Sequence, residues 1–301
     1  VFTLRRDTLI VKSPKTTKRS TEDKVNSIGD SVKKPIKECI IVAKKVKDTV
    51  ILAKNRDRAY KPELEVVHEI VDGVEIAYLR DTTTDWSEGI NEFGIGILNT
   101  ALMVGFDEIE KKIVKKAGKP SKDGARIRRA LTSRTLKQAV ESAALGGVKG
   151  HSFVADSMRL VSMETTKMHK PKLDVRDITK NDYVRTNHGF HYYDAGYTKG
   201  DDYKSSKLRK IGAEKSIEDA QSGVDILNAL KKQMYDKNSN LNMRRDTEKM
   251  VTSSQLMLNL KERTLQLDYF KSKVEKFHGV RTILPNDYEP KIKIVVNAVD
   301  I

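Results

Sequence analysis

Apolar residues fall into short runs broken by turn residues along most of the chain. The run at 39–43 and the run at 50–53 flank the polar stretch 44–48, which predicts a hairpin spanning residues 38–57. A second hairpin is predicted from 65–70 and 74–79 about Asp72-Gly73, a dipeptide that accepts positive φ at both positions. A third joins 88–90 to 95–98 across Asn91-Glu92-Phe93-Gly94, and a fourth joins 151–155 to 158–164 about Asp156-Ser157. The alternating Leu256, Leu258, Leu260 and Leu265, Leu267, Tyr269 flank a Lys-Glu-Arg turn. Residues 292–299 read as a last strand, and 183–193 as a strand opening into a loop.

Elsewhere the spacing is helical. Residues 107–118 predict a helix closing at Gly118, with Pro120 beyond. A longer helix is predicted at about 125–145, with Ile127, Leu131, Ala139, Val140, Ala143 and Ala144 on one face and Gly146-Gly147 ending it. Ser216 and Asp219 form a capping-box-like start for a further helix, with Ile217, Ala220, Val224, Leu227 and Met234 on one face. Hairpins interrupted by helices predict sheets packed face to face with helices outside. No linker divides residues 39–301, which read as one domain. Residues 1–38 lack periodic apolar signal beyond residue 11, are rich in Ser, Thr and Lys, and read as an arm or pro-segment.

Charge changes this picture at the N-terminus. The 301-residue chain carries a formal net charge of +15, and residues 1–38 hold ten Lys/Arg against five acids. Such a balance favours anionic partners, nucleic acid or acidic protein, through the arm, although it also serves solubility alone. A homo-oligomer is a further partner class open to this surface. No apolar stretch approaches a membrane span and no signal-like core opens the chain. One cysteine excludes an internal disulfide, and together these features predict a cytoplasmic protein.

That cysteine, Cys39, stands at the head of the first apolar run, and the hairpin returns Lys54-Asn55-Arg56-Asp57 beside it. The expected surroundings of the sulfur are an amide, a guanidinium and a carboxylate. If the Glu38–Cys39 bond is cut, Cys39 gains an α-amine that titrates near neutrality and can act as base for its own thiol. Asp57 could orient that amine, and Lys54 or Arg56 could supply positive charge. A lone cysteine also serves simply as a small buried hydrophobe. Asn99 and Asn187 each follow an apolar strand, where a donor can point at a developing oxyanion, and each could equally be a turn residue. His188 and His191, three apart with no further ligand nearby, make a weak metal motif. There is no phosphate-cradling glycine loop, zinc-finger spacing or Gly-x-Ser-x-Gly elbow. Neither metal nor cofactor is expected.

Taken together in order, these segments resemble the cysteine N-terminal nucleophile hydrolases. The nearest groups are choloylglycine hydrolase/penicillin V acylase and the acyl-CoA:6-aminopenicillanate acyltransferase-like proteins. The matching pieces are Cys39, Lys54-Asn55-Arg56-Asp57 and Glu88-Gly89-Ile90-Asn91-Glu92-Phe93-Gly94-Ile95-Gly96-Ile97-Leu98-Asn99. They continue with His151-Ser152-Phe153-Val154-Ala155-Asp156, Glu164, Arg185-Thr186-Asn187-His188 and Ser205-Ser206-Lys207-Leu208-Arg209. The resemblance implies an α+β fold, a four-layer αββα sandwich of two antiparallel sheets. It also implies autocatalytic removal of whatever precedes the cysteine. By position, Cys39 would be the nucleophile and Asp57 would hold its α-amine. The Asn99 backbone N–H and the Asn187 side chain would form the oxyanion hole, with Arg209 as electrostatic support. At Lys54 the hydrolase branch usually carries arginine, whose planar fork lysine lacks.

The function expected is a self-processing cysteine amidohydrolase or acyltransferase. It would act through a Cys39 thioester on a small-molecule amide or acyl donor rather than a peptide bond. The alternative is a catalytically silent interaction module of a larger assembly, gripping nucleic acid or acidic partners through its basic arm. A peptidase ranks below both.

Overall fold

The hairpin at the centre of the sequence pattern is the longest among the described residues. β1 (Lys37–Val46) and β2 (Thr49–Arg58) pair antiparallel along their full length, placing Glu38 opposite Asp57 and Cys39 opposite Arg56. The computed structural model describes residues 37–300 apart from 103–121, 167, 168, 177, 179, 180 and 237. By contact the chain divides into Val1–Lys34 and Pro35–Ile301, and the described residues all belong to the second unit. Residues 1–36 of the expected arm and the expected helix at 107–118 lie outside the described residues. Lys37 and Glu38, grouped with the arm by composition, are strand residues.

β3 (Glu63–Val71) and β4 (Val74–Asp81) turn at Asp72-Gly73, where φ is +53° and +71°. Positive φ at both positions matches the right-handed twist of the flanking strands, and Gly73 adopts it without a side-chain clash. The remaining strands are β5 (Trp86–Asn91), β6 (Gly96–Thr100), β7 (Gly150–Ala155), β8 (Leu160–Thr165), β9 (Lys172–Arg176), β10 (Tyr183–Arg185), β11 (Val251–Asn259), β12 (Thr264–Phe270), β13 (Lys276–Ile283) and β14 (Lys293–Val299). Strands β9 and β13 have no counterpart in the sequence pattern. Exposed and half-buried residues dominate both, so neither carries a strong apolar run.

One sheet has the order β10-β1-β2-β11-β12-β14, and the other β13-β3-β4-β5-β6-β7-β8-β9. Both are antiparallel except at one edge each, where β14 joins β12 and β13 joins β3 in parallel. These two edges correct the expectation of purely antiparallel sheets.

Three apolar clusters define four layers. Ile41, Ala43, Val50 and Leu52 of the first sheet pack on Leu64, Val66, Ala77 and Leu79 of the second. The other face of the second sheet, with Val74, Ile76, Ile97 and Val161, covers Ile127, Leu131, Ala139 and Val140 of α1 (Asp123–Leu131) and α2 (Leu136–Gly146). The outer face of the first sheet, with Ile40, Val42, Ile51 and Ala53, covers Ala213, Ile217, Ile226 and Leu230 of α3 (Gly200–Ile217) and α4 (Gly223–Lys231). The order is αββα, as expected. Each large apolar side chain sealed in these layers contributes roughly 1.5–3 kcal/mol relative to exposure.

The helices differ from the sequence pattern in two places. The segment 125–145 is two helices, because Thr135 is extended and its hydroxyl accepts the Gln138 N–H at 3.3 Å, starting a new helix. Gly124 lets α1 approach the chain at Asp85, whose carbonyl oxygen would lie 1.5 Å from an added Cβ. Ser216 is not a cap but sits in the last turn of α3. The next helix starts at Ser222, which accepts the Asp225 N–H at 3.1 Å. This break resets the helical phase, so Val224 and Met234 are exposed while Ile217, Ala220 and Leu227 are buried.

Candidate active site

Alternation along β1 and β2 sorts the polar residues into two groups. Cys39, Lys54, Arg56 and Arg58 share the face turned toward the second sheet, while Glu38, Asn55 and Asp57 share the face turned toward α3 and α4. The sulfur therefore does not face the amide and carboxylate expected beside it. Asn55 donates to the carbonyls of Leu230 and Met243, both at 2.9 Å. Arg56 lies opposite Cys39 in register, yet its guanidinium reaches Glu88 at 2.8 Å and Asp81 at 3.4 Å. Lys54 donates to Glu88 and to the Asn99 carbonyl. Lys54 and Arg56 thus tie β2 to β5 across the sandwich. They hold the Glu88 carboxyl at about 2, against the upward push of burial.

The group that touches the sulfur is Arg58, one residue beyond the motif that ends at Asp57. Its Nη1 donates to Cys39 Sγ at 3.6 Å, to the Glu38 carbonyl at 3.5 Å and to the Asp57 carbonyl at 2.8 Å. Burial favours the neutral guanidine, but the neighbours Cys39, Tyr60 and Asp81 outweigh it and raise the Arg58 pKa. The position is available from period-2 alternation alone: residue 58 follows 54 and 56 on the sulfur's face.

On the helix side, Asp57 is fully buried and accepts from Arg209 Nη1 at 3.2 Å and from the Thr252 hydroxyl at 2.8 Å. Arg209 Nη2 reaches Glu38 at 2.8 Å and Asn187 Oδ1 at 3.2 Å. Arg245, unforeseen in the sequence, lies 2.8 Å from Glu38 and 3.9 Å from Asp57. Tyr197 donates to the other Glu38 oxygen at 2.6 Å. The two carboxyls respond in opposite directions. Burial raises both, but Arg245 and Arg209 prevail at Glu38 and hold it below the ordinary range. At Asp57 burial prevails, aided by the charge of Glu38, and its pKa is raised.

Asn187 joins the two sides. Its Oδ1 accepts the Cys39 backbone N–H at 3.3 Å, and its Nδ2 donates to Thr100 Oγ1 at 3.0 Å and to the Ala101 carbonyl at 2.8 Å. Thr100 in turn donates to the Cys39 carbonyl at 3.5 Å. The Asn99 side chain points elsewhere, to the Lys149 carbonyl and Ser152 Oγ, both at 2.8 Å. His188 Nδ1 meets Ser206 Oγ at 2.9 Å and His191 Nε2 meets Asp174 at 2.6 Å, so the two rings engage different partners.

Cys39, Asp57, Asn187 and Arg209 are thus brought together around one peptide bond. From the strand of Asn99 it is Thr100, not Asn99, that contacts Cys39 and Asn187, and Lys54 and Arg56 form a separate ionic tie. No helix among the described residues is long and apolar enough to cross a membrane.

No protein-family model matches the chain, and no curated protein matches it in sequence. Among solved structures it is similar to penicillin V acylase from Agrobacterium tumefaciens, at 9% identity and a TM-score of 0.44, over 77% of this chain and 86% of that one.

Proposed function

We propose that the protein is a self-processing cysteine amidohydrolase or acyltransferase that cuts its own Glu38–Cys39 bond and then acts on a small non-peptide amide. One observation carries this: the Glu38–Cys39 peptide group is gripped at both ends. Its carbonyl oxygen accepts from Arg58, which also touches the sulfur, and its N–H donates to Asn187. In the proposed step Cys39 Sγ attacks the Glu38 carbonyl carbon. Arg58 stands where negative charge develops on oxygen, a placement that lowers the barrier. The C–N bond then breaks, its nitrogen takes a proton to become the Cys39 α-amine, and Glu38 is left as a thioester that water hydrolyses. In the processed protein the same amine serves the thiol as base, with Asp57 and Asn187 positioning it and Arg209 fixing Asp57. The Asn99 backbone N–H and the Asn187 amide are the proposed donors to an external substrate's oxyanion. Water resolving the second thioester gives a hydrolase; an amine resolving it gives an acyltransferase.

Incubation with an activated amide, quenched in acid and weighed intact, tests the reaction. The expected result is an acyl adduct on Cys39 of the processed protein that disappears with hydroxylamine. Absence of any adduct on processed protein, across short- and long-chain acyl donors, contradicts it.

A second reading has its own observation. The buried Glu38 carboxylate is clamped by Arg209, Arg245 and Tyr197, an arrangement equally suited to a permanently uncut, catalytically silent interaction module. On that reading, salt-sensitive nucleic-acid binding should depend on residues 1–38.

A further inference from the structure

Glu38 is 3% exposed, and its carboxylate is held by Arg209, Arg245 and Tyr197. Oε2 lies 2.8 Å from both Arg209 Nη2 and Arg245 Nη1, and Oε1 accepts from Tyr197 at 2.6 Å. Ser205 Oγ sets the two guanidiniums, accepting from Arg245 Nη2 at 2.8 Å and from Arg209 Nε at 3.3 Å, while donating to the Asn240 carbonyl at 2.6 Å. This is a built carboxylate site, and its occupant is the residue immediately before the nucleophile.

Cutting the Glu38–Cys39 bond changes the charge of this cluster. With the bond intact, Arg209 and Arg245 face two carboxylates, Glu38 and Asp57. After departure of Glu38 they face one, and a new α-amine adds positive charge nearby. Two buried guanidiniums sharing the single carboxylate of Asp57 are under-compensated, so the vacated site calls for another anion.

Geometry fixes where that anion sits relative to the reacting carbon. In the self-cleavage step Glu38 is the acyl group: its carbonyl carbon meets Cys39 Sγ while its carboxylate sits in the cradle. Carbonyl, Cα, Cβ, Cγ and carboxylate carbon form the skeleton of a glutaryl group. Resting on the proposed self-processing activity, we infer that the Arg209–Arg245–Tyr197 cradle is the acyl-side specificity site of the processed protein. It selects acyl groups that end in a carboxylate at glutaryl length. In turnover Cys39 Sγ bonds to the glutaryl carbonyl carbon, the amide C–N bond breaks, and the amine leaves with a proton. Water then releases glutarate and restores the thiol. Tyr197 and Arg245 are assigned here as specificity residues.

The test compares N-glutaryl-p-nitroanilide with N-pentanoyl-p-nitroanilide, chains of equal length in which a methyl replaces the carboxylate. Processed wild-type protein is expected to favour the glutaryl substrate in kcat/KM by about a hundredfold or more. Arg245→Gln is expected to reduce that ratio by about tenfold or more. Equal rates, or a preference for pentanoyl, on a chain that starts at Cys39 and turns over would overturn the specificity assignment while leaving the reaction intact. A chain that stays uncut would overturn both. A second arm uses the full chain with Glu38→Ala, which lacks the two carbons and two oxygens of acetate. Acetate should raise the Tm of this variant by several degrees more than that of wild type, with chloride ineffective at equal ionic strength. An equal response to acetate in both proteins counts against the cradle. The kinetic arm uses wild-type protein and does not depend on that variant folding.

Discussion

Arg58 Nη1 lies 3.6 Å from Cys39 Sγ and 3.5 Å from the carbonyl oxygen of the preceding residue, so one guanidinium reaches both the side-chain sulfur of Cys39 and the carbonyl oxygen of the peptide bond before it. Arg58→Gln removes the positive charge from both atoms. Self-cleavage, followed by intact mass over time, is expected to slow by about a hundredfold or more. Arg58→Lys, which keeps the charge without the fork, should fall between the two. Unchanged cleavage in Arg58→Gln would remove this residue from the mechanism.

Asn187→Asp keeps an acceptor for the Cys39 N–H but loses the amide donors to Thr100 and Ala101. The Ala101 carbonyl loses its donor and a carboxylate enters a buried site. Urea unfolding should show a loss of about 1–3 kcal/mol, the cost of leaving a buried polar group unpaired. Cleavage should slow as well, because the leaving nitrogen is no longer held in one geometry.

Glu88→Gln tests the tie between the sheets. Glu88 is the shared anion of Lys54 and Arg56 and also accepts from Trp86 Nε1 at 2.9 Å. Its loss leaves buried cations under-compensated, and stability should drop by about 3–5 kcal/mol. A change smaller than about 1 kcal/mol would mean that Asp81, already paired with Arg56, makes up for the lost charge.

One buried histidine, His151, and one half-buried histidine, His188, predict a pH dependence. His151 Nε2 meets the His188 carbonyl at 2.8 Å, and burial pushes its pKa down to about 3. Glu164, 3.8 Å from its Nδ1, is engaged by the backbone N–H groups of Phe190, His191 and Tyr192. Burial, with Lys210, Lys207 and Arg209 nearby, brings His188 down to about 4. Both folded values lie below the unfolded value of about 6.5, so the unfolded chain binds more protons below that pH. Stability from the neutral rings is complete above about pH 6.5 and is lost as pH falls toward about 4 and then 3. The denaturation midpoint should fall between pH 7 and pH 5. His151→Gln should narrow the difference between those two conditions, whatever its effect at pH 7.

The sheets were legible because their alternation is strong: Ile41, Ala43, Val50 and Leu52 lie inside the sandwich, and Ile40, Val42, Ile51 and Ala53 lie under the helices. Helix α3 was not legible. Its buried face consists of Ser205, Ser206, Arg209, Gly212, Ala213 and Ile217, a polar and small-residue stripe that carries little apolar period. That same stripe is what supplies Arg209 and Ser205 to the candidate site. Arg58 was readable from alternation, being two residues beyond Arg56, but the motif ending at Asp57 drew the boundary one residue early. Arg245 and Tyr197 lie outside regular elements, and only the tertiary fold brings them to Glu38.

The central claim is that the Glu38–Cys39 bond is cut by Cys39 itself. N-terminal sequencing of the purified protein, paired with intact mass after prolonged incubation, measures this directly. Wild-type protein is predicted to begin at Cys39, and Cys39→Ala to retain its full N-terminal segment. A wild-type chain that stays whole under every condition, indistinguishable from Cys39→Ala, would contradict the account.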